Sequence, residues 1–381
     1  SDLEVWVNGK KVASTSNALI PHRLPLRGFL RHPGEDNVLF VCLKSPLNAV
    51  REAPLEPWMS AHAFGIEMLR IRKPAHCFGW DIMPRIVSAG IWRPVAIENR
   101  PEVEIDDVYI TTRSCSEERA RLQAWVHFRT AEPVLQDFQI QLRGRCGESS
   151  FSVERLMPFV GNQFQFDVSR PRLWWPRGYG EPDLYDVTVE ILHRGQVVAA
   201  RGVKLGIRTI ELDRTDLNTP ENPGRFRFLV NGTPVFVKGS NWVPADALHS
   251  RDAERIPRML ELFSDMGCNM LRCWGGNVYE PKVFYDICDR EGIMVWQDFA
   301  MACGAYPQDE DFLAQLRQEA ECVVRERRQH ACLALWAGDN ECDSGYVGWL
   351  GNYRDPGRNR ITREVLPQVL DRLDPTRPYL P

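Results

Sequence analysis

Cys332-Leu333-Ala334-Leu335-Trp336 is a five-residue apolar run, and it breaks into Gly338-Asp339-Asn340-Glu341. It is too short for a helix and reads as a buried strand with a polar C-terminal end. Three runs upstream have the same form: Val235-Phe236-Val237-Lys238-Gly239, Asn269-Met270-Leu271-Arg272 and Ile293-Met294-Val295-Trp296. Helical periods separate them. One spans about 252–266, with Ile256, Met259, Leu260 and Phe263 on one face. A second spans 281–291. A third spans 309–329, with Phe312, Leu313, Leu316 and Val323 as its stripe. A fourth is expected near 358–373, and Asp374 to Tyr379 reads as the approach to a fifth strand. Strand and helix alternating at this spacing specify βαβ units and a parallel sheet. A dinucleotide-binding sheet would carry G-x-G-x-x-G after its first strand. Gly239-Ser240-Asn241-Trp242-Val243-Pro244 stands there instead, which favours a (β/α)8 TIM barrel, of which 213–381 would form the N-terminal half with four βα units.

In such a barrel the reacting groups collect at the C-terminal ends of the strands. Strand one ends in Asn241-Trp242 and strand two in Arg272-Cys273-Trp274-Gly275-Gly276-Asn277, with Glu280 close behind. Strand three ends in Trp296-Gln297-Asp298 and strand four in Asp339-Asn340-Glu341. Polar groups at every strand end, most with a tryptophan beside them, suit a sugar pocket, where ring faces stack on C–H surfaces and amides and carboxylates address hydroxyls. Other readings stand beside this one. Asp298 could cap a helix or pair with an arginine, Arg272 could be an ion-pair partner, and Trp296 and Trp336 read as core. Glu341, a carboxylate just past a buried run, reads as catalytic.

The upstream sequence is of another kind. Residues 1–99 hold short alternating runs, including Val5-Trp6-Val7 before Asn8-Gly9, a type I′ hairpin signal. Asn37 to Val41 and Ile91 to Ile97 are further strand candidates. Residues 100–212 contain Ala124–Phe128 and Leu184–Val189 and no helical period, which suits a β-sandwich. The 47 Lys and Arg against 51 Asp and Glu give a net charge of −4, against a charge-driven nucleic-acid binder. No apolar run approaches a membrane span. Eleven scattered Cys without a CxxC pair, and no leader-like start, fit reduced thiols and a cytoplasmic location. Eight His without H-x-H or H-x-x-x-H spacing predict no metal, and no G-x-S-x-G elbow occurs.

The stretch Phe236 to Asp246 resembles the barrel entry of glycoside hydrolase family 2, especially its β-mannosidase branch. The resemblance continues through Asn269 to Glu280, Val295-Trp-Gln-Asp-Phe299 and Leu335-Trp-Ala-Gly-Asp-Asn-Glu341. Upstream, Phe78-Gly-Trp-Asp81 and Ala89-Gly-Ile-Trp-Arg-Pro-Val95 look like the end of the family's jelly-roll domain, and Leu173 to Gly180 resembles its immunoglobulin-like domain. The resemblance implies three domains in order: a partial β jelly-roll over 1–99, an immunoglobulin-like β-sandwich over 100–212 and the half barrel. It implies a retaining β-glycosidase without cofactor, acting on a β-linked oligosaccharide, with a homodimer left open. Glu341 would be the acid/base, and Asn340 would bind the sugar 2-hydroxyl. Trp80 and Asp81 would reach distal hydroxyls. Asn241, Trp242, Trp274, Asp298 and Trp349 would shape the subsite, and Arg272 would support the nucleophile. The nucleophile ends the family's seventh strand and is expected outside this chain. The family more often has Trp-Gly-Pro where Ile82-Met83-Pro84 stands, Asn at Asp339 and Gly at Asn277. These changes touch the sugar-recognition rim and spare the acid/base.

Overall fold

The computed structural model describes residues 2–51, 56, 59–61, 65–348 and 354–381. Strands β1 (Leu3–Val7), β2 (Lys10–Thr15) and β3 (Leu39–Leu43) form an antiparallel sheet in the order β2-β1-β3. Asn8 and Gly9 make the β1–β2 turn at φ 52° and 76°, the two positive values that Asn-Gly supplies with little strain. Helix α1 (Pro46–Arg51) and the two-residue strand β4 (Ser60–Ala61) follow. Ile91 to Ile97 form no strand. Three prolines at 84, 94 and 101 and Gly90 break any ladder there, and Ile91, Val95 and Ile97 are exposed.

The next seven strands pack as two facing sheets. Strands β5 (Glu104–Cys115), β6 (Arg119–Arg129) and β9 (Gly161–Ser169) make one. Strands β7 (Phe138–Cys146), β8 (Ser149–Leu156), β10 (Tyr185–His193) and β11 (Gln196–Leu205) make the other. Alternation along β10 buries Tyr185, Val187, Val189 and Ile191 against Leu122, Ala124, Val126 and Phe128 of β6, a core separate from the rest of the molecule.

A short antiparallel sheet, β12 (Ile210–Arg214), β13 (Phe226–Val230) and β14 (Thr233–Val235), leads into the parallel part. There β15 (Gly239–Trp242), β16 (Met270–Cys273) and β17 (Met294–Asp298) lie side by side, all parallel. The short β18 (Gly304–Ala305) leaves this sheet, and β19 (Leu333–Ala337) and β20 (Tyr379–Leu380) complete it in chain order. Helices α2 (Asp252–Asp265), α3 (Lys282–Glu291) and α4 (Glu310–Arg327) fill the crossovers, and α5 (Cys342–Val347) and α6 (Leu366–Leu373) separate β19 from β20. The first parallel strand starts at Gly239 and not at Val235. Val235 closes the antiparallel sheet, while the Asn269 side chain fixes the crossing by bonding Lys238 N and Phe236 O, which leaves Phe236 73% exposed. Gly239 is needed where β15 meets β16, because a Cβ there would sit 1.7 Å from Met270 O. The final helix runs through a π-turn at Ile361–Val365 before α6. Among the described residues no helix is long and apolar enough to cross a membrane. All eleven cysteines are free.

Two buried polar clusters join these parts. Trp174 of the sandwich is fully buried and donates to Asp289 O at the end of α3, and Arg208 caps the carbonyls of Ala331 and Leu333. The other cluster centres on Glu319 in α4. Its carboxylate accepts from Asn17 Nδ2 at 2.8 Å, Arg72 Nε and Nη2 at 2.8 and 2.6 Å and Tyr279 OH at 2.8 Å, and both ionic side chains are buried. Removing one member of such a pair strands the other charge away from water. Glu319→Ala should therefore destabilise the chain by about 3–5 kcal/mol in urea unfolding. A loss under about 1 kcal/mol, the range of an exposed pair, would contradict this reading.

Candidate active site

Parallel register sets Arg272 on β16 beside Asn241 on β15 and Trp296 on β17. The three share one face of the sheet, and that face carries a continuous hydrogen-bond chain. The Arg272 guanidinium grips Asp298 through Nε at 3.3 Å and Nη2 at 2.6 Å. It also donates to Asn241 Oδ1 at 3.3 Å and Asn340 Oδ1 at 2.9 Å. Asp298 accepts two further bonds, from Gly275 N at 3.1 Å and Trp296 Nε1 at 3.0 Å. Burial raises its carboxyl to about 6, with Arg272 opposing that shift. The ion-pair reading of Arg272 and Asp298 and their place in the cluster thus coexist.

Glu341 follows Asn340 one residue past the bridge between Asn340 and Ala302. It is solvent-exposed and takes φ 60°, a left-handed value that costs a non-glycine residue roughly 1 kcal/mol or more. Cys303, across from it, takes φ 48°. Glu341 Oε2 lies 3.2 Å from Cys303 Sγ and 3.5 Å from Asn340 Nδ2. A carboxylate held from one side with its other edge open to solvent has the form of a proton-transfer group. Cys303 had no signal in the sequence, because its partner is 38 positions away.

The tryptophans divide. Trp80 and Trp274 meet edge to face with centroids 5.0 Å apart. Trp80 pairs its backbone with Met83, and Asp81, between them in sequence, is exposed. Gly276 makes room for the Trp274 ring, since a Cβ would fall 2.0 Å from it, and Gly275 backs onto Met301 O and Asn340 N. Trp242 does not join this group, contrary to the sequence expectation. Successive residues of a strand point to opposite faces. With Asn241 on the Arg272 side, Trp242 is buried against Phe263 and Phe284 and donates to Glu280. Trp336 is likewise core, bonded to Asp374. Trp349 lies outside the described residues.

A group of metal-ligand types, Asp286, Asp289 and His330, sits by α3 between the sandwich and the parallel part. Its own ion pairs engage it: His330 Nδ1 lies 2.7 Å from Asp289, and Lys282 Nζ lies 2.5 Å from Asp286.

Residues 3–93 match the glycosyl hydrolase 2 galactose-binding domain-like model, and 103–208 match the glycosyl hydrolases family 2 model. The chain is 33% identical to beta-mannosidase B of Aspergillus oryzae over 401 aligned positions, covering 99% of this chain and 46% of that protein. The crystal structure of a β-D-mannosidase from Dictyoglomus thermophilum superposes with a TM-score of 0.91 at 33% identity, over 100% of this chain and 47% of that one. An exo-chitosanase from Amycolatopsis orientalis shares the fold at 19% identity, with a TM-score of 0.69 over 100% of this chain and 41% of its own. The chain spans about half the length of the curated relatives it matches.

Behind the cluster, Glu280 is 1% exposed. Oε1 accepts from Trp242 and Asn277, Oε2 has no partner, and burial raises the carboxyl to about 7. The folded chain holds this proton up to about 7, whereas the unfolded chain releases it near 4.5. Stability contributed by the protonated acid is therefore lost as pH rises through that window. Glu280→Gln removes the titration, so its stability relative to wild type should gain about 3 kcal/mol between about pH 4 and about pH 8 in urea unfolding. A difference that stays flat with pH would refute the assignment.

Proposed function

The chain belongs to glycoside hydrolase family 2, and on that premise we propose that the protein is a retaining exo-β-glycosidase that releases terminal β-D-mannosyl residues from oligosaccharides or glycoconjugates. The observation that carries this reading is the arrangement around Glu341. It is an exposed carboxylate in a strained left-handed conformation, held on one side, at the end of a parallel strand. The reading is supported by 33% identity along nearly the whole chain to proteins named β-mannosidases. Five parallel strands in chain order, with helices between them, are read as the first part of a (β/α)8 barrel whose strand ends face the substrate.

In this reading Glu341 protonates the glycosidic oxygen as the leaving group departs, then takes a proton from the water that hydrolyses the glycosyl-enzyme. A retaining pair needs its second carboxyl about 5–5.5 Å away. Asp298 is ill suited to attack, since Arg272 neutralises it and four donor contacts occupy its oxygens. The nucleophile is therefore assigned to no residue of this chain. Asn340 is held by Arg272 at its Oδ1, which aims its amide nitrogen toward Cys303 and Glu341, where a sugar 2-hydroxyl would bind. Trp80 and Trp274 would wall the subsite, with Asp81 at its rim.

The sugar is the finer point. A β-glucosaminide or β-galactoside would use the same machinery, and a non-catalytic carbohydrate-binding protein could keep the rim alone. Release of 4-nitrophenol from a panel of aryl β-glycosides by the full-length protein separates these, with the mannoside expected fastest and silence on it overturning the specificity. Glu341→Ala should lower turnover of substrates with poor leaving groups by about 10²–10⁴-fold, with partial rescue by azide. Unchanged turnover would remove Glu341 from the acid/base role.

A further inference from the structure

We infer that Cys303 is a positioning residue for the acid/base carboxylate, its thiol donating a hydrogen bond to Glu341 Oε2 while Oε1 is left to face the substrate. The inference rests on the proposed role of Glu341. Its geometry is that of two backbones zipped together. Asn340 N donates to Met301 O at 3.0 Å, and Cys303 N donates back to Asn340 O at 2.8 Å. That reciprocal pair puts Cys303 Sγ 3.2 Å from Glu341 Oε2 and 3.4 Å from Asn340 Nδ2. Asn340 donates to the sulfur, so the thiol proton is directed at the carboxylate.

The loop bearing the thiol is itself fixed. Gly304 and Ala305 pair with Ala61 and Ser60, Ala302 N is bonded by Tyr306 OH at 3.1 Å, and Ala300 O accepts from Arg72 at 2.7 Å. Cys303 is buried, and burial, with the Glu341 charge adding to it, pushes its thiol up to about 12. It stays an S–H donor through the pH range in which glycosidases work. Cys303 and Asn340 are the side chains hydrogen-bonded to the Glu341 carboxylate among the described residues. The other charged groups around it are Arg272 and Asp298, reached through Asn340, and Asp339 and Asp343 on its own turn and helix. A donor on Oε2 fixes the rotamer of the carboxylate.

The test uses the full-length protein and two variants, with an aryl glycoside of poor leaving group and a dinitrophenyl glycoside that departs without protonation. Cys303→Ala should lower kcat on the poor substrate by about 10-fold with KM within about 2-fold, while leaving the dinitrophenyl substrate within about 2-fold. Cys303→Ser keeps a donor and should restore most of the rate on the poor substrate. An unchanged rate on the poor substrate in Cys303→Ala, or equal losses on both substrates in both variants, would overturn the inference. Glu341→Ala run alongside separates the two readings. If it spares the poor substrate, the acid/base assignment fails. If it abolishes that activity while Cys303→Ala behaves as wild type, only the role of Cys303 fails.

Discussion

The Glu319 carboxylate is the constraint to which the rest of the structure answers. An ion with no solvent must have every lone pair engaged, and its four donor contacts come from three places far apart in sequence: Asn17, Arg72 and Tyr279. Asn17 follows β2, Arg72 lies before Phe78-Gly-Trp-Asp81, and Tyr279 follows the Trp274 loop. Tyr279 OH also receives Ala300 N at 2.9 Å, and Arg72 reaches Ala300 O. One buried charge thereby fixes the loop after β17, the loop after β16 and the N-terminal region against α4. The desolvation cost of such a pair is offset only when its geometry is complete, so these segments adopt one relative placement.

The cluster at the strand ends obeys the same logic at higher exposure. Arg272 is the hub, neutralising Asp298 while orienting Asn241 and Asn340. Asp298 in turn ties down Gly275 N and Trp296. The exposed end of the chain is Glu341, whose backbone takes a left-handed turn opposite the equally left-handed Cys303. Rigid, charge-paired groups lie deep, and the Glu341 carboxylate lies at the surface, the placement that its proposed acid/base role requires.

Much of this was legible in the sequence because it follows from period and position. The short apolar runs gave the parallel strands, and the polar residue after each run gave Asn241, Arg272, Asp298, Asn340 and Glu341. The misreadings have local physical causes. Val235 to Gly239 looks like one strand, but the Asn269 side chain breaks it into two strands of different sheets. Ile91 to Ile97 is apolar enough for a strand but carries Pro94 at its centre, which cannot donate to a ladder. The resemblance implies a subsite role for Trp242 beside Asn241, but alternation along the strand sends the two side chains opposite ways. Arg72, Glu319 and Cys303 were invisible, since each is defined by a partner 38 or more positions distant. Composition and periodicity carry no record of such pairings.

The ladder between Ser60–Ala61 and Gly304–Ala305 bears on how such a chain can change over generations. A domain in sequence is a natural unit of exchange, yet here a strand of the N-terminal region is sewn into the loop that braces Glu341. Recombination at the apparent boundaries would import a foreign edge strand beneath that loop. The N-terminal region and residues 299–306 therefore form one unit of the fold, discontinuous in the sequence and whole only in three dimensions.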